Sequence, residues 1–411
     1  MAREKLEFGR YDYAAFSAFT MYSVVSLAIP IMIVSMGKSL NFPIDDGGMG
    51  YGGLLHMVRS AAMIVTLLIC GFVAARFGKR YTMTASVLMM GGGILCCAFA
   101  PAYWVLLPCL MIAGLGEGLC EGIATPFVQD LHPKAPERYV NIAHSFWSVG
   151  ILLAVLLVGG LITLGINWRI ILGVAGFLTV MTALGFCWKE NPAKKYPEIT
   201  EEINSKDILR YSKEIFTKKR FWLCSAAMFF GAGAEFGLTF WATAYVELTF
   251  KTSVFVASLG TGAIALGMFI GRTGFGYIAK PQNLRYILLF CGLGMIPISL
   301  VLAFLEPGII PAWLLFPLLF VLLFLSGIGI APYWPTMQVY GVTRLPQCDS
   351  TMLYVYYSGM GIPGAGFFSW FMGAMGDCFG LRGAILVVPC CLVIFCSIVI
   401  WECWFRADKE A

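Results

Sequence analysis

The sequence predicts an all-α membrane protein that crosses the bilayer twelve times, with its helices arranged as two pseudo-symmetric six-helix bundles. Three observations support this fold class. Hydrophobic residues make up 59% of the 411 residues and charged residues only 12%, a more apolar composition than soluble domains have. The charges collect between apolar stretches of about 20 residues, the length of a membrane-spanning helix. Short segments of the first half also recur, with similar sequence, in the second half.

The apolar stretches fall into two sets of six, separated by a polar segment. We expect spans near 14–36, 51–75, 81–103, 104–130, 138–165, 168–188, 221–249, 252–279, 284–304, 311–340, 350–375 and 382–404. The predicted domains are a first bundle at 1–188, a linker at 189–220 and a second bundle at 221–411. Within the linker, residues 203–216 are weakly amphipathic, which predicts a helix on the membrane surface.

Basic residues are distributed unevenly among the predicted loops. Twelve spans place both termini on one side, and the loops of that side hold most lysines and arginines, including Arg76, Lys79 and Arg80. The loops of the other side hold few, among them Lys38 and Arg169. The positive-inside rule therefore predicts cytoplasmic termini and a cytoplasmic linker. We expect a multi-pass protein of a cell membrane, of the prokaryotic inner-membrane kind.

Two short segments of the first half recur in the second half. Residues 71–76 are echoed by 276–280, and residues 126–129 by 335–338, at offsets of 205 and 209 residues. The nearly equal offsets indicate a repeat of six parallel spans about an axis normal to the membrane. Such repeats place a solute site between the two halves, near the middle of the membrane.

Several classes of function are excluded by what the sequence lacks. Cys96–Cys97 and Cys390–Cys391 do not have the spacing of a zinc or redox site, so we expect no metal and no cofactor. There is no phosphate-binding loop, so the chain is not expected to be an ATP-driven pump of that kind. We also expect that it is not an enzyme. The positions of the basic residues follow from the membrane topology. They therefore give no indication of nucleic-acid binding. The expected partners are a small-molecule solute, a coupling proton and the lipid bilayer, with the chain as a monomer.

Carboxylates inside spans are functional candidates because a charge in the membrane is costly. Glu117 and Glu121 lie one turn apart on the fourth span. We expect one of them to carry a coupling proton, and Glu121 is favoured. The alternatives are a structural ion pair between Glu117 and Arg59, and ion pairing of Glu121. Glu235, among small residues of the seventh span, is a third coupling candidate that lines the cavity or caps a helix break.

Polar and aromatic side chains inside other spans are candidates for solute binding. Asn141 and His144 form a polar stripe on the fifth span with Trp147 beside it, although His144 also suits a hydrogen bond to a neighbouring helix. Arg59 and Arg272 suit an anion. The alternative for Arg272 is a gate or a loop contact at the cytoplasmic end. Aromatic and amide side chains that suit a sugar ring, or alternatively helix packing, are Trp241, Tyr333, Gln338 and Tyr354.

Four segments resemble a known family. The stretch Glu121 to Pro126 is similar to Glu-Thr-Ala-Ala-Asn-Pro, and Asn141 to Gly150 is similar to Asn-Leu-Ala-Gln-Thr-Phe-Asn-Ser-x-Gly, of the fucose permease-like branch of the major facilitator superfamily. Gly271 to Lys280 resembles that branch's helix 8 motif, and Ala234 to Gly237, followed by Trp241, its helix 7 motif. The branch consists of proton or sodium symporters for sugars and related compounds. The resemblance implies that Glu121 is the protonatable carboxylate of the family. It also implies that Arg272 corresponds to the arginine of the helix 8 motif.

The chain also departs from this family at specific positions. The helix 5 glutamine and asparagine of the sugar site are His144 and Trp147 here, and the first span has no carboxylate between Phe16 and Val34. An acidic residue after the second span is replaced by Ala75. The differences in the fifth and first spans bear on which solute is bound. Ala75 bears on the contacts between the two halves.

The residues and the resemblance together predict a secondary active transporter for a small polar organic solute, either a sugar or a sugar-like compound. It is expected to work by alternating access as a proton symporter. The nearest alternative is a transporter or exchanger of organic anions, carboxylates or sulfonates, that uses the intramembrane arginines. A non-transporting receptor or scaffold and an exporter of apolar compounds are further alternatives.

Overall fold

The computed structural model of the protein describes residues 7–132, 136–187 and 205–402, and within these ranges all regular secondary structure is helical. The first six membrane-length helices are α1 (Arg10–Ser39), α2 (Met49–Phe77), α3 (Lys79–Ala98), α4 (Tyr103–Leu131), α5 (Pro136–Leu153, continued by Ala154–Val158 and Gly159–Thr163) and α6 (Trp168–Cys187). The next four are α7 (Lys219–Phe250), α8 (Val254–Ile278), α9 (Leu284–Phe304) and α10 (Ala312–Ile330, resumed at Pro335–Thr343).

The last helical segment, Ser350–Ile400, contains two spans. Its 51 residues would extend about 75 Å as one helix, which is far longer than a bilayer is thick. The backbone leaves the helical conformation at Gly380, where φ is +73°, a value that glycine adopts without strain. We therefore number residues 350–379 as α11 and 381–400 as α12. Split in this way, the eleven apolar, membrane-length helices found among the described residues are twelve spans, which confirms the predicted fold class.

The predicted spans agree with the observed helices to within a few residues, apart from α10 and α5. The span predicted as one helix at 311–340 is interrupted between Ile330 and Pro335, because Pro332 and Pro335 have no amide hydrogen to continue the helical hydrogen bonds. In α5 one turn, Ala154–Val158, is π-helical. Such turns are rare and occur often at functional sites.

The predicted amphipathic stretch at 203–216 corresponds to a helix at Ser205–Phe216, directly before α7. The rest of the predicted linker up to 204 lies outside the described residues. The first helix of the second half begins at Lys219, two residues before the predicted boundary.

Close helix contacts recur in the two halves, and the two glycines that make them are separated by the same number of residues as the second pair of similar segments. A Cβ atom on Gly118 of α4 would lie 2.1 Å from the carbonyl oxygen of Met63 on α2. A Cβ atom on Gly327 of α10 would lie 2.0 Å from that of Ile264 on α8. Glycine is needed at both places because the helix backbones touch there. The second and fourth spans of each half thus meet through the same kind of glycine contact.

The even number of spans places the start of α1 and the end of α12 on one side, which we call the terminal face, and the other side the opposite face. Towards the opposite face the two bundles are in close contact. A Cβ atom on Gly53 of α2 would lie 2.4 Å from the carbonyl oxygen of Ser369 on α11. Between α5 and α8, the Ser258 hydroxyl donates to the carbonyl of Val155, within the π-helical turn, at 3.0 Å. The bundles are thus closed on this side.

Towards the terminal face the same helices leave side chains uncovered. Leu68 of α2 is 45% exposed, Tyr354 of α11 is 39% exposed, and the side chain of Arg272 on α8 is 39% exposed. Leu68 belongs to the first bundle, and Arg272 and Tyr354 belong to the second. We interpret their exposure at this end as a cavity between the bundles that opens to the terminal face.

Candidate functional site

The first bundle lines this cavity with polar and aromatic side chains of α1, α4 and α5. The rings of Tyr22 and Trp147 meet edge to face with centroids 4.6 Å apart. Nε2 of His144 lies 2.9 Å from Oγ1 of Thr125. Glu121 is half-buried and lies near Tyr22, whose hydroxyl donates to Sδ of Met63 at 3.9 Å. One wall of the cavity thus offers a carboxylate, an imidazole, hydroxyls and an indole, a mixture typical of sites for small polar molecules.

The second bundle presents an ion pair to the same cavity. Nη2 of Arg272 on α8 donates to Oε1 of Glu235 on α7 at 2.9 Å, and Nε of Arg272 donates to the carbonyl of Ala331 at 3.4 Å. Glu235 is almost fully buried, whereas the guanidinium is partly exposed. Arg272 is also close enough to Glu121 and His144 for an electrostatic interaction across the cavity. For Glu235, the two predicted alternatives were that it lines the cavity or that it caps a helix break. In the structure its carboxylate is bound to Arg272.

Beside Arg272, towards the terminal face, the second bundle has a cavity of about 240 Å³ that is lined by residues of α8, α9, α10 and their connections. Arg272 and Lys280 provide its charges, and Phe275, Pro332 and Thr336 are among its other lining residues. Arg272 is paired with Glu235, so Lys280 is the lining residue that adds a further positive charge here.

The two carboxylates on α4 have different surroundings, although they are one turn apart. Glu117 accepts hydrogen bonds from Nε of Arg59 at 2.9 and 2.8 Å and a further one from Nη2 of Arg59. Nη2 of Arg59 also donates to Oγ of Ser26 at 3.1 Å. Both charges are buried, so Arg59 is engaged between α1, α2 and α4, the arrangement that the structural alternative for Glu117 predicts. The structure gives Glu121 no ion pair among the described residues.

Trp241, a predicted solute-binding residue, is placed at the contact between the bundles. Its Nε1 donates to the carbonyl of Ser369 at 2.9 Å, and its side chain is fully buried. Nδ1 of His56 lies 3.0 Å from the hydroxyl of the same serine, and its ring stacks on Phe240. These residues join α2, α7 and α11 on the side of the opposite face. In this conformation Trp241 contributes to the closed contact and does not line the cavity.

We expect Trp241→Phe to lower the stability of the protein by about 1 kcal/mol, the usual contribution of one neutral hydrogen bond, and to leave solute affinity unchanged. The phenyl ring keeps most of the packing and loses only the donor to Ser369. Thermal unfolding in detergent and solute titration measure the two effects. A loss of affinity above tenfold at unchanged stability would assign Trp241 to the solute site instead.

The other predicted binding residues are separated by the structure. Tyr333 is fully buried inside the second bundle against Phe395, and its hydroxyl has no hydrogen-bond partner among the described residues. Nε2 of Gln338 donates to Oγ of Ser358 at 2.7 Å, which joins α10 to α11. Tyr354 is exposed towards the terminal face. Asn141 lies on α5, and its side chain is outside the described part of the chain.

Two cavity residues were not found from the sequence. Tyr22 contacts Trp147 and lies near Glu121, and Thr125 contacts His144. Neither carries a charge, so nothing in the apolar pattern of α1 or α4 distinguished them from packing residues. Thr125 lies one turn after Glu121, and the i, i+4 spacing is the signal that links the two to one face of α4.

The architecture defines a class of protein. A membrane protein of two related six-helix bundles, with a polar cavity between them that is open to one face, is a transporter. The family model of the Major Facilitator Superfamily matches residues 14–347, and the chain belongs to this superfamily. It is accordingly a transporter and not an enzyme, as predicted.

Curated relatives match parts of the chain. The myo-inositol transporter 1 of Saccharomyces cerevisiae is 24% identical over 202 residues, which are 48% of this chain and 34% of that protein. The probable polyol transporter 3 of Arabidopsis thaliana is 29% identical over 135 residues, which are 32% of this chain and 27% of that protein. The chain thus spans about a third of the length of the curated relatives it matches.

Solved structures match nearly the whole chain. A bacterial homologue of the human lysosomal transporter Spinster, in an inward-facing conformation, superposes with a TM-score of 0.75 at 18% identity and covers 97% of this chain and 98% of its own. The D-xylose-proton symporter gives 0.76 at 12% identity, covering 96% and 97%. The fucose:proton symporter of E. coli gives 0.61 at 17% identity, covering 98% and 99%. At these identities the likeness establishes the fold.

Proposed function

We propose that this protein is a proton-coupled transporter of a small polyhydroxylated solute, of the sugar or polyol kind, that works by alternating access. The observation that carries the proposal is the position of Glu121. Its carboxylate lies at the cavity near Tyr22. The other carboxylate of the same helix, Glu117, is bound to Arg59. A carboxyl group at a water-filled cavity, without a fixed ion pair, is suited to take up and release a proton.

The cavity also supports the solute class. Hydroxyl groups of a polyol need several donors and acceptors in fixed positions, and Tyr22, Thr125 and His144 supply them along one wall. The Trp147 ring adds an aromatic face, which sugar rings pack against. The relatives named as myo-inositol and polyol transporters point in the same direction.

The domain boundaries and the orientation belong to the same proposal. We assign residues 1–188 and 221–411 to the two moving bundles and 189–220 to their linker. The positive-inside rule places the terminal face in the cytoplasm, so the conformation described here is inward-facing. The protein then resides in the cell membrane as a monomer with both termini in the cytoplasm.

A binding screen followed by a flux assay tests the function. The purified protein is heated with a panel of sugars, polyols, sugar acids and short carboxylates, because a ligand that binds the folded state raises its stability. Compounds that bind are then offered to proteoliposomes with and without an inward proton gradient. Binding and proton-driven uptake of a neutral sugar or polyol are expected. A protein that binds such a solute and gives no flux would be a receptor and would contradict the proposal.

One observation favours a second function, the transport of an organic anion. The partly exposed guanidinium of Arg272 faces the cavity, and Lys280 lines the same cavity. A carboxylate solute would compete with Glu235 for Arg272, since both would accept from the same N–H groups.

The paired substitution Arg272→Gln with Glu235→Gln separates the two functions. Changing both residues avoids leaving a buried carboxylate alone. We expect the affinity for a neutral solute to change less than about threefold, whereas the affinity for an anion would fall at least about tenfold, because a hydrogen bond between charged groups is lost. Solute titration measures this, with Glu235→Gln alone as the control. A large loss for a neutral polyol would mean that Arg272 binds it directly.

A further inference from the structure

Helix α2 begins on the opposite face without a capping side chain of its own. Its N-cap residue is Gly48, which has no side chain to accept a hydrogen bond. The first amide groups of any helix have no partner inside the helix and need an acceptor from elsewhere. The start of α2 therefore depends on another part of the protein.

That acceptor comes from the other bundle. Oδ1 of Asp377, near the end of α11, accepts from the amide of Met49 at 2.8 Å, and Oδ2 accepts from the amide of Gly50 at 2.7 Å. A carboxylate at this place also interacts favourably with the positive end of the helix dipole. One side chain of the second bundle thus supplies acceptors for two amide groups at the start of a helix in the first.

Glycines on both helices make the contact sterically possible. A Cβ atom on Gly50 would lie 2.9 Å from Oδ2 of Asp377, and one on Gly373 would lie 2.3 Å from the carbonyl oxygen of Met49. One turn further along α2, Gly53 is equally close to Ser369. The interface is therefore built so that the carboxylate reaches the helix start while the two backbones touch.

We propose that Asp377 is a gating residue, whose cap on α2 holds the opposite face closed. The proposal rests on the proposed alternating access, but on no particular solute. Opening the opposite face requires the ends of α2 and α11 to separate, which removes both hydrogen bonds and leaves two helix amides without their protein acceptor. The cap therefore stabilises only the conformation that is open to the terminal face. Losing it shifts the equilibrium towards the conformation open to the opposite face.

Hydrogen exchange of the full-length, detergent-purified protein, read by mass spectrometry, tests this with Asp377→Asn. The amide side chain loses the charge and places an NH₂ group where an acceptor is needed. We expect exchange at residues 49–53 and 369–377 to rise about tenfold, together with slower exchange at the terminal-face ends of α5 and α8. Opposite changes on the two faces are the signature of a shifted equilibrium, which simple fraying of a helix end does not produce.

Two further variants complete the experiment. Asp46→Asn removes a carboxylate from an exposed loop of the same face and is expected to change neither face. Gly53→Ala pushes α2 away from α11 without touching the carboxylate and is expected to reproduce the two-face pattern. Faster exchange at 49–53 alone, or no change in either Asp377→Asn or Gly53→Ala, would overturn the proposal. A two-face shift in a protein that transports no solute would support the gating role of Asp377 and contradict the proposed function.

Discussion

Glu121→Gln is expected to abolish proton-driven accumulation of the solute while exchange of solute across the membrane continues. The amide matches the carboxyl group in shape, but it cannot carry a proton. A gradient of two pH units supplies about 2.7 kcal/mol per proton, enough for a roughly hundredfold solute gradient. Proteoliposomes with a pH gradient should therefore show this accumulation with the unmodified protein and none with the variant, whereas counterflow without a gradient should persist.

A matched control shows whether the effect belongs to this position. Glu214→Gln makes the same change on the exposed surface of the helix before α7 and should leave accumulation unchanged. If Glu121→Gln still accumulates solute against its gradient, Glu121 is not the coupling group, and Glu235 is the next candidate. If exchange is lost along with accumulation, Glu121 contributes to solute binding itself.

Glu117→Gln is expected to destabilise the protein by about 3–5 kcal/mol, the usual effect of removing one member of a buried ion pair. The guanidinium of Arg59 would remain buried between α1, α2 and α4, with Ser26 as its remaining side-chain partner among the described residues. Thermal unfolding in detergent should show a large fall in melting temperature or a loss of folded protein.

Two comparisons distinguish this buried pair from an ordinary charge pair. The double variant Arg59→Gln with Glu117→Gln should recover much of the stability, because no unpaired charge is left inside the bundle. Glu306→Gln breaks an ion pair with Arg382 in which the side chains are 50% and 43% exposed. That variant should cost less than about 1 kcal/mol. Equal effects of Glu117→Gln and Glu306→Gln would contradict the structural role of the buried pair.

The sequence was sufficient for the fold because the bilayer restricts what a chain can do. Backbone groups in lipid must be hydrogen-bonded within their own helix, so each apolar stretch of the right length becomes a span. The same constraint made the repeat visible, since Gly118 and Gly327 occupy equivalent contacts at the offset that the echoed segments predict. The places that differed locally, the interruption of α10 and the π-helical turn of α5, are those where the helical hydrogen bonding is broken.

The candidate site was only partly predictable, for a different physical reason. Intramembrane charges are rare and costly, so Glu117, Glu121, Glu235, Arg59 and Arg272 were all identified from the sequence as candidates. Which charge pairs with which depends on how the helices are rotated and packed against one another. Spacing along α4 placed Glu117 and Glu121 on one face, but only packing directed Glu117 to Arg59 and left Glu121 at the cavity beside Tyr22.

The sequence by itself determined the membrane class, the number of spans, the repeat and the residues that carry charge, since these follow from local hydropathy and spacing. The tertiary structure decided which of those residues share a cavity, which face is closed, and that Trp241 and Asp377 lie in the contact between the bundles. These outcomes depend on contacts between residues as far apart as Met49 and Asp377. Local pattern does not encode such contacts, because each arises only when twelve helices pack together.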